Sequence, residues 1–279
     1  MTTTTSTAPA TDPAVGPATT ATIPATGFPW TYARIEITTT LRRLDTVFFT
    51  IIMPLGMYLL FGTINAFESA SVGHGNITAS VMINMAAYSV AISATALTAS
   101  SAVEITEGWG RQVSLTSGGL RAYLLAKLTS AAVISVLPVL LIFGAGAATG
   151  AQVDSAGRWL ASLALAMMPA VPFSVFGLAA GLWVPSRTAV GVASSSVAVF
   201  AFLAGIFMPL SGVLFTIAHY TPLYGAGTLA TWALQGDVVA TMDGIVHEPV
   251  WYALANLVVW TALFSLVCLA ARRRTGARR

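Results

Sequence analysis

The stretch Glu104-Ile-Thr-Glu-Gly-Trp-Gly-Arg-Gln-Val-Ser-Leu-Thr-Ser-Gly-Gly-Leu-Arg121 separates two long apolar runs. It is the only well-charged segment between residues 70 and 150. It is too polar to lie in the hydrocarbon core of a bilayer and too short to form a domain. We interpret it as a polar connection between two membrane spans, and the apolar runs on either side then decide the fold.

The composition of the whole chain is that of a membrane protein. Of its 279 residues, 56% are hydrophobic and only 8% are charged, whereas soluble domains carry about 25% charged residues. The basic residues are arginines apart from Lys127, and they lie at the ends of apolar runs, unlike the basic face of a nucleic-acid-binding protein. The single cysteine, Cys268, excludes an internal disulfide. Its apolar surroundings predict a buried or lipid-facing thiol.

Residues 1–27 consist mainly of Thr, Ala and Pro and contain almost no large apolar side chains. Such a segment cannot bury enough surface to offset its ordering entropy, so we predict a disordered N-terminal tail. It has no basic start, apolar run or cleavage signature, so we do not interpret it as a signal peptide.

Residues 28–44 predict an amphipathic helix in the plane of the membrane interface. Apolar side chains recur at helical spacing at Trp30, Ala33, Ile37, Leu41 and Leu44. Its aromatic and basic side chains suit the headgroup region. These interfacial residues are Trp30, Tyr32, Arg34, Arg42 and Arg43. A short soluble helix packed on a partner is the alternative, which we disfavour because the next residues enter lipid directly.

Six apolar segments follow, each with the roughly 20 residues needed to cross the hydrocarbon core. They are 46–67, 79–103, 122–150, 159–183, 188–215 and 249–271. We therefore predict an all-α integral membrane protein with six transmembrane helices. Five prolines fall inside these segments, where neighbouring helices can satisfy the freed backbone groups. They are Pro54, Pro138, Pro169, Pro172 and Pro209.

The distribution of basic residues predicts the orientation. With the N-terminus in the cytoplasm, twelve basic residues face the cytoplasm and only Arg158 faces outward. This predicts a multi-pass protein of the cell (plasma) membrane with both termini cytoplasmic. Residues 272–279 then form a basic cytoplasmic tail that anchors the topology and contacts anionic lipids. Docking of a partner on this tail is the minor alternative.

The long run from Thr188 to about Leu234 is nearly free of charge and could cross the membrane twice. Two crossings would place the C-terminal arginines outside, against the positive-inside rule. Glycines, His219 and Pro222 also interrupt its second half. We therefore predict one span at 188–215 and a broken, re-entrant hairpin at about 216–236, dipping into the outer leaflet under a cover of protein.

This plan resembles the permease subunit of ABC-2-type ABC exporters across residues 28–271. One matching feature is the interfacial helix that runs into the first span. The second is Glu104-Ile-Thr-Glu107-Gly108-Trp109-Gly110-Arg111-Gln112, followed by Leu115-Thr116-Ser117 and Arg121-Ala-Tyr-Leu-Leu-Ala-Lys127. The third is Met208-Pro-Leu-Ser-Gly-Val-Leu-Phe215, followed by Tyr220-Thr-Pro-Leu-Tyr-Gly-Ala-Gly-Thr228. The chain departs from the family at Ile105 and Thr106, where charged residues are common, and at Ser117-Gly118-Gly119, where a proline is frequent.

The resemblance implies a transport protein in which two permease subunits pair as a homodimer. Two copies of a separate ABC ATPase subunit would bind beneath them. The chain has no Gly-x-x-x-x-Gly-Lys-Ser/Thr phosphate loop. We therefore expect no enzymatic activity and no cofactor in this chain, with ATP and Mg on the partner subunit.

The same resemblance implies that the segment after the second span holds the coupling helix, which sits in a groove of the ATPase. The residues concerned are Glu104, Glu107, Gly108, Trp109, Gly110, Arg111 and Gln112. A tryptophan is a typical interface anchor, and charges set the register of such a contact. The alternative is a solvated cytoplasmic loop with Trp109 at the lipid interface.

Other motifs favour packing roles. Gly177-Leu-Ala-Ala-Gly181 and Gly146-Ala-Ala-Thr-Gly150 have the small-xxx-small spacing that permits close helix approach. We predict packing within the subunit, with a dimer contact as the weaker alternative. Asn84 and Asn256 either line a polar path or, more often for such residues, make hydrogen bonds between helices. Tyr220, Tyr224 and Trp232 form either an outer gate or an aromatic belt.

The distribution of titratable residues narrows the function. No Asp, Glu or His lies near the middle of a predicted span, which argues against an ion-coupled carrier and leaves no catalytic constellation. The three histidines, His74, His219 and His247, have no metal-ligand spacing. We expect an exporter of an amphipathic, drug-like, lipid-like or glycan substrate. The alternative is a non-transporting polytopic membrane protein, such as an assembly or immunity factor.

Overall fold

A computed structural model of the chain describes residues 30–62, 71–108, 119–184 and 186–277. The predicted tail at 1–27 lies outside the described residues. The described chain is mostly helical. Its helical elements are α1 Trp30–Leu41, α2 Leu44–Val47, a π-helical turn at Phe48–Ile52, α3 Met53–Gly62, α4 Ile77–Thr106, α5 Gly119–Ala148, α6 Ala156–Leu165, α7 Ala170–Trp183, α8 Arg187–Leu203, α9 Gly212–Ala218, α10 Tyr224–Gln235 and α11 Val250–Ala277.

Two short antiparallel hairpins lie in the connections that the charge distribution places outside. The first pairs β1 (Ser71–Val72) with β2 (Gly75–Asn76) directly before α4. The second pairs β3 (Val238–Thr241) with β4 (Gly244–His247) between α10 and α11.

Four helical stretches are long and apolar enough to cross a membrane. They are Ile77–Thr106, Thr129–Ala148, Ala156–Trp183 and Val250–Ala271. The stretches Phe48–Gly62 and Thr188–Leu203 are shorter apolar helices. The prediction of a helical membrane protein is confirmed, and each of the six predicted segments contains an apolar helix. The count of six complete spans stays a prediction, because two of these helices are short.

A proline lies at the break between α6 and α7. Pro169 directly precedes α7, a position where its missing backbone N–H costs little. The helix of the predicted segment 188–215 ends at Leu203, close to Gly205, whose φ is +74°. Pro209 lies further on, in the irregular residues before α9, so this helix is shorter than the apolar run suggested. Pro138 and Pro172, by contrast, lie buried inside α5 and α7.

The first apolar helix accommodates its proline with a wide helical turn. The π-helical turn at Phe48–Ile52 ends just before Pro54, which cannot donate a backbone hydrogen bond. Beyond the turn, α3 directs Tyr58 into the core, where its side chain is fully buried. Its hydroxyl and that of Thr149 lie 2.5 Å apart. The side chains of Phe48, Phe49 and Ile52, before Tyr58, are exposed.

Helix α4 is the centre of the fold. It packs against α3, α5, α7, α8 and α10. Most of its residues from Met82 to Thr95 are buried, and many of them are alanine or serine. Small side chains let neighbouring backbones approach closely, which supplies the dispersion contacts that hold helices together in lipid. A central helix with so little exposed surface fixes the positions of its neighbours.

The predicted contact at Gly177 and Gly181 is confirmed as packing within the subunit. A side chain at Gly177 would overlap the carbonyl of Thr95, and one at Gly181 would overlap the carbonyl of Ala99. Helix α7 therefore lies directly against the backbone of α4. At the other predicted motif, Gly146 faces the Met82 side chain of α4.

The predicted hairpin region contains two helices joined by a tight turn. Helix α9 ends at Ala218, and α10 begins at Tyr224 after a turn that contains the buried Pro222. Helix α10 is almost entirely buried against α4, α6 and α11. The turn at Pro222 and α10 are thus covered by protein, whereas most of α9 is exposed. The re-entrant hairpin and its insertion into the outer leaflet stay predictions.

We expect Gly177→Ala to lower the free energy of unfolding by about 1–3 kcal/mol, since an overpacked contact forces backbone shifts. Gly191→Ala is the matched control, because nothing lies within 4 Å of the added carbon on α8. It should be neutral or stabilising by up to about 1 kcal/mol. Thermal unfolding of both purified variants in detergent checks this. Equal melting temperatures would contradict the close contact.

Candidate functional site

The polar connection after α4 is the first candidate site. Helix α4 continues to Thr106, so Glu104 lies on its last turn rather than in a loop. Glu107 follows at the end of the helix and is exposed. The predicted coupling residues Trp109, Gly110, Arg111 and Gln112 lie outside the described residues.

Gly108 explains how the chain leaves α4. Its φ angle is +92°, a conformation that side chains with a Cβ rarely adopt. Its backbone N–H donates to the carbonyl of Ile105 at 3.3 Å, and that of Glu107 donates to Val103 at 2.9 Å. These bonds satisfy carbonyls at the end of the helix, as a glycine cap commonly does. Helix α4 therefore ends here because Gly108 adopts a backbone conformation that does not continue an α-helix.

Three charged side chains meet beside this connection, and we call Lys127, Glu36 and Glu104 the Lys127 triad. The Lys127 ammonium lies 2.8 Å from Oε2 and 3.1 Å from Oε1 of Glu104. It also donates to Oε1 of Glu36. The lysine side chain is only 13% exposed, against 24% for Glu36 and 33% for Glu104. The triad joins α1, the end of α4 and the start of α5.

The electrostatics of the triad favour a charged lysine. Burial opposes the charge on Lys127, but the hydrogen bonds and negative charges of Glu104 and Glu36 outweigh it, so its pKa is raised. Lys127 lies just before the apolar stretch Thr129–Ala148, at the edge of the predicted span 122–150.

Helix α1 lies against α5 through a small contact surface. Ala33 is fully buried, and its carbonyl accepts a bond from Ser130 Oγ at 3.4 Å. On the predicted apolar stripe, Ile37 and Leu41 are half-buried, whereas Trp30 and Leu44 are exposed. The predicted continuous helix to residue 44 is wrong, because α1 ends at Leu41.

Two of the basic residues predicted for the interfacial helix, Arg42 and Arg43, form the break after α1 and are exposed. Arg34, within α1, is also exposed. The side chain of Tyr32 lies outside what the structure describes. Placement of α1 at the membrane interface stays a prediction.

A second polar cluster lies at the predicted outer hairpin. The His219 ring donates through Nδ1 to the carbonyl of Phe215 at 2.7 Å, since a carbonyl can only accept. Its Nε2 pairs with Oε1 of Glu248, and the Tyr224 hydroxyl donates to Oε2 of Glu248 at 2.7 Å. The His219 and Glu248 side chains are only 18% and 12% exposed.

Asn256 on α11 fixes the turn that carries this cluster. Its amide donates to the carbonyls of His219 at 2.8 Å and Thr221 at 3.2 Å. Its Oδ1 accepts from the backbone N–H of Gly225 at 3.3 Å. A bond between helical elements, the role favoured for Asn256, is therefore confirmed. Asn84, its counterpart in the sequence analysis, makes no side-chain hydrogen bond to any described residue.

The predicted outer-gate residues lie in different surroundings. Tyr224 is buried in the His219–Glu248 cluster, whereas Tyr220 is 72% exposed. Trp232 is partly exposed and donates to Oδ1 of Asp237 at 3.0 Å. Tyr224 is thus part of a polar network, and a gate formed with the other two stays a prediction.

Two further predictions concern metal sites and the thiol. His74 pairs with Asp154 at 3.1 Å on the surface, and His247 lies in β4. No group of three His, Cys, Asp or Glu side chains among the described residues could hold a metal ion. Cys268 is buried, as its apolar surroundings predicted.

Sequence reasoning missed the pairing within both clusters. Neither Glu36 nor Lys127 was predicted to pair with another charged side chain. One signal was available, because Lys127 is the only charged residue in the predicted segment 122–150. A buried charge at the edge of a span needs a partner. Nothing in the spacing indicated that the partner lies 91 positions away.

The chain is similar to a transport permease along most of its length. It is 26% identical over 246 residues to Putative transport permease YvfS of Bacillus subtilis (strain 168). The match covers 87% of this chain and 96% of that protein. None of the protein-family models matches the chain. The similarity confirms the resemblance to a permease and is consistent with the ABC-2 type.

We expect Asn256→Leu to lower the free energy of unfolding by at least about 1 kcal/mol, because it leaves two carbonyls and one backbone N–H without their partner. Asn84→Leu is the control and should change it by less than about 0.5 kcal/mol, since no bond is lost. Thermal unfolding in detergent measures both. A smaller loss for Asn256→Leu than for Asn84→Leu would contradict the role of Asn256.

Proposed function

We propose that this chain is the membrane-spanning permease subunit of an ATP-driven ABC exporter. The observation that carries the proposal is the similarity to a transport permease over 87% of the chain. The arrangement of long apolar helices around α4 supports it, since a permease must span the bilayer. The chain lies in the cell membrane, with the polar end of α4 and the start of α5 in the cytoplasm.

The energy comes from a separate ATPase, bound as two copies beneath a permease homodimer. The sequence has no phosphate-binding loop of the Gly-x-x-x-x-Gly-Lys-Ser/Thr type. The contact is made by the coupling segment, residues 104–112, which begins on the last turn of α4. Because α4 packs against five other helices, a force on its cytoplasmic end reaches much of the fold.

The substrate is amphipathic, such as a drug-like, lipid-like or glycan molecule. An open groove on α8 supports this class, because it combines exposed valines with hydroxyl side chains and no charge. Its lining residues are Thr188, Gly191, Val192, Ser195, Ser196 and Val199. Such a surface suits a molecule with apolar and hydrogen-bonding parts better than it suits an ion.

Co-purification tests the proposal. The full chain is expressed with a candidate ABC ATPase from the same genome, and affinity capture of the permease should recover both proteins. Reconstitution of the pair in liposomes should give ATP hydrolysis that depends on the permease. Recovery of the folded chain without any ATPase would contradict the proposal and favour the non-transporting membrane protein.

We expect Trp109→Ala and Glu107→Arg each to weaken the contact with the ATPase. Loss of an interface anchor costs about 2 kcal/mol, or roughly 30-fold in affinity. Permease-dependent ATP hydrolysis at limiting ATPase concentration should fall accordingly, while membrane insertion is unchanged.

Trp251→Ala and Asp243→Arg are the matched controls. Both residues are exposed, on α11 and in the β3–β4 turn, and both lie on the predicted outer side. They should leave hydrolysis at the wild-type level. Equal losses in controls and test variants would show that segment 104–112 is not the contact.

A further inference from the structure

The Lys127 triad connects segments that are remote in sequence. Glu104 is the first residue of the coupling segment, on the last turn of α4, and Lys127 lies on the helix that follows this segment. Glu36 lies on α1, which leads into the first apolar helix. A single ammonium therefore ties both ends of the connection to α1. An ammonium has three donors and can serve two carboxylates at once, as it does here.

Helix α1 buries few of its described side chains completely. Ala33 and Thr40 are buried, Ile37 and Leu41 are half-buried, and Trp30 at the start of the helix is exposed. Burial of an alanine removes little apolar area from water. The contact of Glu36 with Lys127 adds a charged tie between α1 and α5 to this packing.

The connection of α1 to α4 depends on the positive charge of Lys127, because both of its partners are carboxylates. Glu36 and Glu104 are both bound to Lys127 and lie close together around it. Without the ammonium, two like charges would face each other in a partly buried site, where Coulomb repulsion is stronger than in water. Removal of the charge at Lys127 would thus push α1 away from α4 as well as release it.

We propose that Lys127 is a positioning residue that locks α1 to the α4–α5 connection through Glu36 and Glu104. Displacement of segment 104–112 then moves α1, and with it the start of the first apolar helix. The transmission of force rests on the proposed function, because the ATPase supplies the push. The lock itself is a property of this chain alone, and it can be measured without any partner.

Hydrogen–deuterium exchange of the full chain in detergent tests the lock. In Lys127→Met, the α1 amides should exchange at least about tenfold faster, since helices held by few contacts open locally. Lys127→Arg should stay near the wild type, because a guanidinium can also serve two carboxylates. The triple variant Lys127→Met, Glu36→Gln, Glu104→Gln removes the repulsion and should regain part of the protection.

Arg158→Met is the control for general loss of stability. The Arg158 guanidinium donates to the carbonyl of Ala233 on α10 at 3.0 Å, on the predicted outer side. This variant should accelerate exchange in α10 and leave α1 unchanged. Wild-type protection of α1 in Lys127→Met would overturn the proposal. So would equal acceleration in all helices, which would indicate global destabilisation.

A second measurement, with the ATPase reconstituted, tests whether the lock transmits force from segment 104–112 to α1. Lys127→Met should bind the ATPase with wild-type affinity, because segment 107–112 is intact, yet lose most of the permease-dependent hydrolysis. Lys127→Arg should retain it. Faster exchange in α1 with unchanged hydrolysis would overturn the role of the lock in coupling. If the wild type recruits no ATPase, the proposed function fails, and the exchange result still decides whether Lys127 holds α1.

Discussion

The close approach of α7 to α4 is the contact on which the rest of the described fold depends. In lipid, helices gain little from apolar burial, so they associate where backbones can come into van der Waals contact. Gly177 and Gly181 make this possible by facing the carbonyls of Thr95 and Ala99 directly. Once α7 is fixed, α11 packs on its other side and α8 beside it. The short side chains of α4 serve the same purpose toward its other neighbours.

Polar groups are concentrated at the two ends of this helical core. At the start of α4, Asn76 caps the helix by accepting from the Ala79 N–H at 2.9 Å, and its amide donates to the carbonyl of Gly150 at 2.8 Å. At the other end, Glu104 enters the triad with Lys127. Helix α4 thus links two polar regions through a length without Asp, Glu, Lys, Arg or His. This division follows from the cost of placing a charge in hydrocarbon.

Sequence reasoning recovered features that depend on local pattern. The glycine spacing at Gly177 predicted close packing, and the apolar run around Cys268 predicted a buried thiol. Tertiary pairings were beyond it, because Glu36 and Lys127 meet only after α1 folds back on α5. Two helix ends were also mispredicted, because apolar residues continue in the sequence beyond the point where the helix stops. The backbone break at Arg42 and Arg43 ended α1 early, and the apolar run beyond Leu203 is not helical before α9.

The π-helical turn at Phe48–Ile52 changes where the side chains after it point around the axis of the first apolar helix. A π-helical turn holds about one residue more than an α-helical turn, so everything beyond it is rotated by roughly 100° relative to a regular helix. The same continuous segment presents Phe48 and Phe49 outward and Tyr58 inward. A regular α-helical turn at Phe48–Ile52 would point the side chains of α3 in a different direction around the helix axis. The face that α3 offers to the core is set by the winding at Phe48–Ile52 as much as by the order of its side chains.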